Sequence, residues 1–170
     1  MINMKKTFKS LFYIIACVAV FLVLIKVYNN SFSSNSAVAF EWEKQVNVYF
    51  SNSEMGSNDD CLKVFPLSRT IINAETLGPG SLEALLKGVS DTEKESGYFT
   101  NLNEEILLQR FEIVNKIAYI DFDTSLNKEV GGSCRVMGIR SQIETTLNSL
   151  PDIDSVVISV GGQTEGILEP

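Results

Sequence analysis

Val136, Ile139, Ile143, Leu147 and Leu150 recur at three- and four-residue steps, and no other feature of this 170-residue chain constrains its fold as tightly. That spacing lays one apolar stripe along a helix, and the stripe has to be covered by the rest of the chain. The segment is well bounded. Gly131 and Gly132 free the backbone ahead of it, Ser133 is a good N-cap candidate, and Asn148, Ser149 and Pro151 stop it. The β-branched run Ser155-Val-Val-Ile-Ser-Val160 follows at once and reads as a strand. At about 100° per residue, Arg140 falls about 40° from the Val136 direction, so its guanidinium must snorkel or find a partner beside the stripe.

The segments that could cover this helix are legible in order. Val46, Val48 and Phe50 alternate with polar neighbours and predict a half-buried strand at the start of the domain, followed by a polar turn over 54–60. Residues 61–72 read as a second extended segment, which Pro66 confines to an edge or a bulge. Gly78-Pro79-Gly80 breaks the chain, and Ser81 caps a helix with apolar positions Leu82, Leu85, Leu86 and Val89. Two apolar runs, 106–114 and 117–122, flank Asn115-Lys116, a two-residue hairpin because Asn tolerates positive φ. The expected class is α+β: a two-layer α/β sandwich with one mixed or antiparallel sheet and two helices packed on one face.

The N-terminus is of another kind. Lys5, Lys6 and Lys9 precede fifteen uncharged residues, Leu11–Ile25, and Val27 and Tyr28 extend the apolar stretch beyond Lys26. This reaches the roughly 20 residues needed to span a bilayer, and the basic flank keeps the N-terminus inside. The expected organisation is a cytoplasmic segment over 1–10, a transmembrane signal anchor over 11–28, a polar linker over 29–45, and a domain over 46–170 outside the membrane. Two cleavage alternatives compete with a retained anchor: a lipobox-like Ile14-Ile15-Ala16-Cys17, and a small-x-small Ala37-Val38-Ala39.

Charge and composition exclude several functions. Residues 1–44 carry a balance of +3 and residues 45–170 a balance of −10. An acidic domain repels phosphate backbones, so nucleic acid is not an expected partner. The chain contains no histidine, which removes the usual general base, the Cys-His dyad and most zinc sites. No catalytic residue, cofactor or metal is expected.

Candidate sites remain among cysteines, carboxylates and arginines. Cys61 and Cys134 are the only cysteines of the outer domain; in an oxidising compartment they pair, the alternative being two buried thiols. Asp121 and Asp123 lie two apart on a strand, on the face of Tyr119, and are either an acid–base or calcium pair or a solvated strand end. Arg140 is expected to clasp a carboxylate such as Glu83 as an internal clamp. Arg69, Ser133 and Arg135, with the Gly131-Gly132 turn, are candidates for an interaction or anion-binding surface.

Cys61-Leu-Lys-Val-Phe-Pro-Leu-Ser-Arg69, Leu82-Glu-Ala-Leu-Leu-Lys-Gly88 and Glu93-Lys-Glu-Ser-Gly-Tyr98 resemble the GerMN (sporulation and spore germination) domain. So do Gly131-Gly-Ser-Cys-Arg135, Ile139-Arg-Ser-Gln-Ile143, Val156-Val-Ile-Ser-Val160 and Ile167-Leu-Glu-Pro170. The resemblance covers nearly all of 46–170 and rests on the combination of motifs. It implies an extracytoplasmic envelope domain with a fold similar to the ring-building modules of secretion and sporulation machines, and it brings no catalytic residues. The function expected is therefore a membrane-anchored, non-catalytic interaction module of the cell envelope. Its partner would be itself or another envelope protein. A binder of an anionic wall ligand, or a carboxylate-dependent wall hydrolase, are the alternatives.

Overall fold

The structure is a computed structural model that describes residues 14, 17–27, 43–72 and 76–169. The chain divides into two units, Met1–Phe40 and Glu41–Pro170. Residues 17–27 of the first are helical and their apolar side chains are exposed, Phe21 at 63% and Leu24 at 60%. Among the described residues no helix is long and apolar enough to cross a membrane. Most of the anchor's flanks, residues 29–42 of the linker and the cleavage motif at Ala37–Ala39 lie outside the described residues.

The second unit opens with β1 (Glu43–Asn52), which turns back through a polar loop into β2 (Phe65–Ile72). The two are antiparallel, with Val46 opposite Arg69 and Phe50 opposite Phe65. β2 is an edge strand, where Pro66 costs no central ladder bond. The helix α1 (Leu77–Leu86) starts four residues before Ser81, so Gly78-Pro79-Gly80 forms its first turn instead of breaking the chain. First-turn N–H groups have no intrahelical partner, which is why proline is tolerated there. Gly78 is needed for another reason: a Cβ on it would lie 2.3 Å from Cζ of Phe111. Ser81, expected as a cap, is buried inside this helix.

Two small elements follow. The helix α2 (Asp91–Glu95) is held by a capping box between Ser90 and Glu93, and β3 (Tyr98–Phe99) pairs with the end of β1. The hairpin of β4 (Leu108–Val114) and β5 (Ile117–Phe122) forms as expected, its turn carrying Asn115 and Lys116 at φ 51° and 64°. After a 3-10 turn (Thr124–Asn127) comes α3 (Ser133–Asn148), then β6 (Ser155–Val160), parallel to β5. Parallel neighbours need a crossover, and α3 supplies it.

Among the described residues, the single sheet expected from the sequence is instead two three-stranded sheets, ordered β2-β1-β3 and β4-β5-β6. α1 packs on strands of both (β1, β2 and β4), and so does α3 (β1 and β6), so one core serves the two sheets. The α3 stripe is at its centre: Ile139, Ile143 and Leu147 are fully buried, against Val48, Phe50, Leu82, Leu85 and Ile120 of the same cluster. The C-terminal Ile167 and Leu168 are buried too, and Leu168 donates its N–H to Oδ1 of Asn127 at 2.8 Å.

Apolar burial has no direction, and α3 is oriented by polar groups buried along with the stripe. Gln142, fully buried, donates from Nε2 to Oγ of Ser51 at 3.0 Å and to the Phe99 carbonyl at 3.4 Å. Its Oε1 accepts from the Thr100 hydroxyl at 3.1 Å and from the Asn101 N–H at 3.4 Å. One turn on, the Thr146 hydroxyl accepts from the Tyr49 N–H at 3.0 Å. Replacing Gln142 by Leu keeps the volume but strands these partners. Gln142→Leu is expected to lose about 2–3 kcal/mol, measured by urea unfolding.

Candidate functional site

The two cysteines of the domain form a disulfide. Cys61 in the β1–β2 loop and Cys134 in the first turn of α3 are joined, with Cα atoms 5.2 Å apart and a sequence separation of 73. Nearby, the Ser141 hydroxyl donates to the Leu62 carbonyl at 2.6 Å, so α3 holds that loop at two points. The helix is not capped by Ser133, which is exposed. Gly132 takes the N-cap position at φ 89°, without a side-chain cap bond.

The arginines proposed for a ligand are occupied within the domain. Arg135 donates from Nε to the Asn101 carbonyl at 3.3 Å, from Nη1 to the Glu129 carbonyl at 3.2 Å, and from Nη2 to Oδ1 of Asn103. Arg69 forms a two-pronged pair with Glu93, Nη1–Oε1 at 2.7 Å and Nη2–Oε2 at 2.8 Å, and lies 5.6 Å from the centre of the Phe50 ring. The same carboxylate accepts the Ser90 N–H at 2.8 Å. Glu93 thus serves both the α2 cap and the β2 arginine, and the hydrogen bonds from Arg69 hold its carboxyl below the ordinary range. The Ser-x-x-Glu spacing at 90–93 was the available signal for this partner.

Arg140 is internal, but its partner is not Glu83. Its Nη2 donates to the Ile167 carbonyl at 3.2 Å, clamping the C-terminal segment, while Glu83 is exposed on α1. The Arg140 charge acts on Glu144, one turn along α3. Burial pushes Glu144 up, and the positive charge of Arg140 partly offsets this.

The two aspartates do not act as a pair. Asp121 faces the same side as Tyr119, its Oδ1 accepting from the Ser159 hydroxyl at 2.7 Å and the Gly162 N–H at 2.8 Å. β5 ends at Phe122, and Asp123 turns away to start the 3-10 helix. Its carboxylate accepts the Ser125 hydroxyl at 2.6 Å and the Leu107 N–H at 2.9 Å, the first of which contributes most to lowering its pKa. Among the described residues no group of three or more His, Cys, Asp and Glu side chains could hold a metal ion.

One open concavity, of about 430 Å³, lies on the outer face of β4-β5-β6. The register places Glu112, Tyr119 and Val157 in one row across the sheet and Arg110, Asp121 and Ser159 in the next. Tyr119 is 41% exposed at the middle of this grid, Arg110 pairs with Glu112, and Gly162 and Thr164 form one end.

The sequence profile of Germane, described as Sporulation and spore germination, matches residues 47–166, which is most of the chain. The chain belongs to this family. No curated protein matches it. Among solved structures, the tandem GerMN domains of the sporulation protein GerM from Bacillus subtilis align at 21% identity and TM-score 0.51, covering 72% of this chain and 40% of that one. The first GerMN domain of the same protein aligns at 13% identity and TM-score 0.48, covering 71% and 85%. A candidate lipoprotein from Clostridium perfringens aligns at 18% identity and TM-score 0.48, covering 77% and 82%.

The Germane domain's two restraints predict distinct stability effects. The disulfide closes a long loop, and its reduction is expected to cost about 4 kcal/mol; guanidinium midpoints with and without reductant measure it, and an unmoved midpoint would refute it. For Glu93, the folded pKa lies below the ordinary 4.5, so its contribution is present above pH 4.5 and is lost as pH falls through the depressed value. Glu93→Gln is accordingly expected to cost about 1–3 kcal/mol at neutral pH, with the gap to the parent closing in acid. Urea unfolding across a pH series reads this directly.

Proposed function

We propose that this Germane-family protein is a non-catalytic interaction module of the cell envelope, held at the membrane by its N-terminal apolar segment with the domain on the outer side. The observation that carries the non-catalytic part is how the reactive-looking groups are used. Arg69 and Arg135, Asp121 and Asp123 each spend their hydrogen bonds inside the domain, on named partners. A nucleophile beside a base is not found among them, and contact is the work left for such a surface.

The outer location is supported by the Cys61–Cys134 bridge, which persists in oxidising compartments. The anchor is supported by the helix over 17–27, whose apolar side chains are exposed on every described position and call for an apolar medium. Lys5, Lys6 and Lys9 favour the N-terminus inside. The reading as an anion-binding protein loses its two arginines to internal partners.

The test is crosslinking in intact cells with a membrane-impermeant amine-reactive reagent and a tagged full-length chain. Capture of a second copy or of another envelope protein is expected. Failure of the reagent to reach the domain before the membrane is lysed would reverse the topology. Turnover of peptidoglycan by the purified full-length protein, abolished in Asp121→Asn, would replace the contact reading with an enzymatic one.

A further inference from the structure

We propose that the concavity on the outer face of β4-β5-β6 binds a neutral glycan, with Tyr119 as the stacking residue. The site deepens the contact-module reading and rests on it for the outer location that brings a glycan within reach. Its volume, about 430 Å³, falls in the range of small-molecule clefts. Its floor is apolar where Tyr119, Val157 and Val114 meet, and Tyr119 and Val114 are 41% and 42% exposed. A sheet's regular pleat holds these side chains in fixed rows, so a flat ligand meets a prearranged surface.

The polar groups around that floor select among ligands. Glu112 and Asp121 outnumber Arg110, and Arg110 is already paired with Glu112, so an anion meets excess negative charge. A metal cation would have to displace the bonds that Asp121 accepts from Ser159 and Gly162. A wholly apolar ligand would bury the Arg110–Glu112 pair without replacing its contacts with water. A sugar brings neither charge nor a wholly apolar surface, and its hydroxyls can add to the bonds already in place without displacing them. Its hydroxyls both donate and accept, matching a rim that offers carboxylate acceptors, guanidinium donors and the hydroxyls of Ser159 and Thr164. Its C–H face packs on an aromatic ring that is apolar over its body and polar at its tip.

The test uses the full-length chain in micelles of a non-glycosidic detergent, with chitotetraose, a neutral N-acetylglucosamine oligomer, as probe. Saturation-transfer NMR should show transfer from the protein to the ring protons of the sugar. Tyr119→Ala should weaken binding by about tenfold or more, the equivalent of losing one aromatic contact. Tyr119→Phe should retain it, and so should Met55→Ala, an exposed apolar change on the β1–β2 loop. Circular-dichroism melting of each variant separates lost binding from lost fold. Absence of transfer to the parent protein, or unchanged binding by a folded Tyr119→Ala, overturns the glycan site. If the parent does not bind sugar and Tyr119→Ala abolishes crosslinked capture of an envelope protein, the face is a protein contact. The glycan inference then fails while the contact-module function stands.

Discussion

The fold depends on α3 carrying apolar and polar burial on the same side. Ile139, Ile143 and Leu147 would be content at several rotations and shifts along the core, because transfer from water is indifferent to direction. Gln142 and Thr146 are not. Each is fully buried, and each bonds specific groups on β1 or on the chain just after β3. Moving the helix by one turn would leave the Gln142 amide and the Tyr49 N–H without these partners, at the full cost of buried unsatisfied groups. The helix is thereby keyed to β1 at one position, and the crossover it makes from β5 to β6 then brings the second sheet against the same core.

The approach has to be close for these bonds to form, and one glycine on α3 sets it. A Cβ on Gly138 would lie 2.3 Å from Nδ2 of Asn101, which itself donates to Oγ of Ser51 at 2.9 Å. Ser51 accepts from Gln142 and Asn101 together, and the Asn101 carbonyl accepts from Arg135. The polar key therefore continues without a gap to the N-terminal end of α3, where Cys134 is bridged to the β1–β2 loop. A covalent link and a hydrogen-bond network fix the same helix at successive turns.

What could be read in the sequence was what depends on local pattern. The α3 stripe, the alternation of Val46, Val48 and Phe50, and the Asn115-Lys116 turn each appear where their spacing places them, because each signal lies within one element. Pairings between elements were not legible. One sheet was expected and two are found, since nothing local in a strand states its neighbour. Gly78-Pro79-Gly80 looked like a break, yet proline fits a first helical turn and Gly78 lets Phe111 approach. Arg140 was expected beside the stripe with a carboxylate and found the Ile167 carbonyl, an acceptor that every residue carries and that no sequence pattern marks. Asp121 and Asp123 separated because the strand ends between them, and a boundary shift of one residue decides which way a side chain points.

The use of arginine explains how an acidic domain can still offer a specific surface. All four arginines of the chain are bonded within the domain: Arg69 to Glu93, Arg110 to Glu112, Arg135 to two carbonyls and an amide oxygen, and Arg140 to Ile167. Guanidinium is the side chain best suited to bind outside anions in a fixed geometry, so engaging all four with internal partners weakens that capacity, and the lysines that remain are strongly hydrated and weakly directional. With residues 45–170 at −10, the long-range field repels anionic polymers and the short-range contacts do not compensate. A partner is then selected by shape, by apolar contact and by neutral hydrogen bonding. The outer face of β4-β5-β6 has these means together, because its one positive group is neutralised by its neighbour and its central aromatic remains exposed.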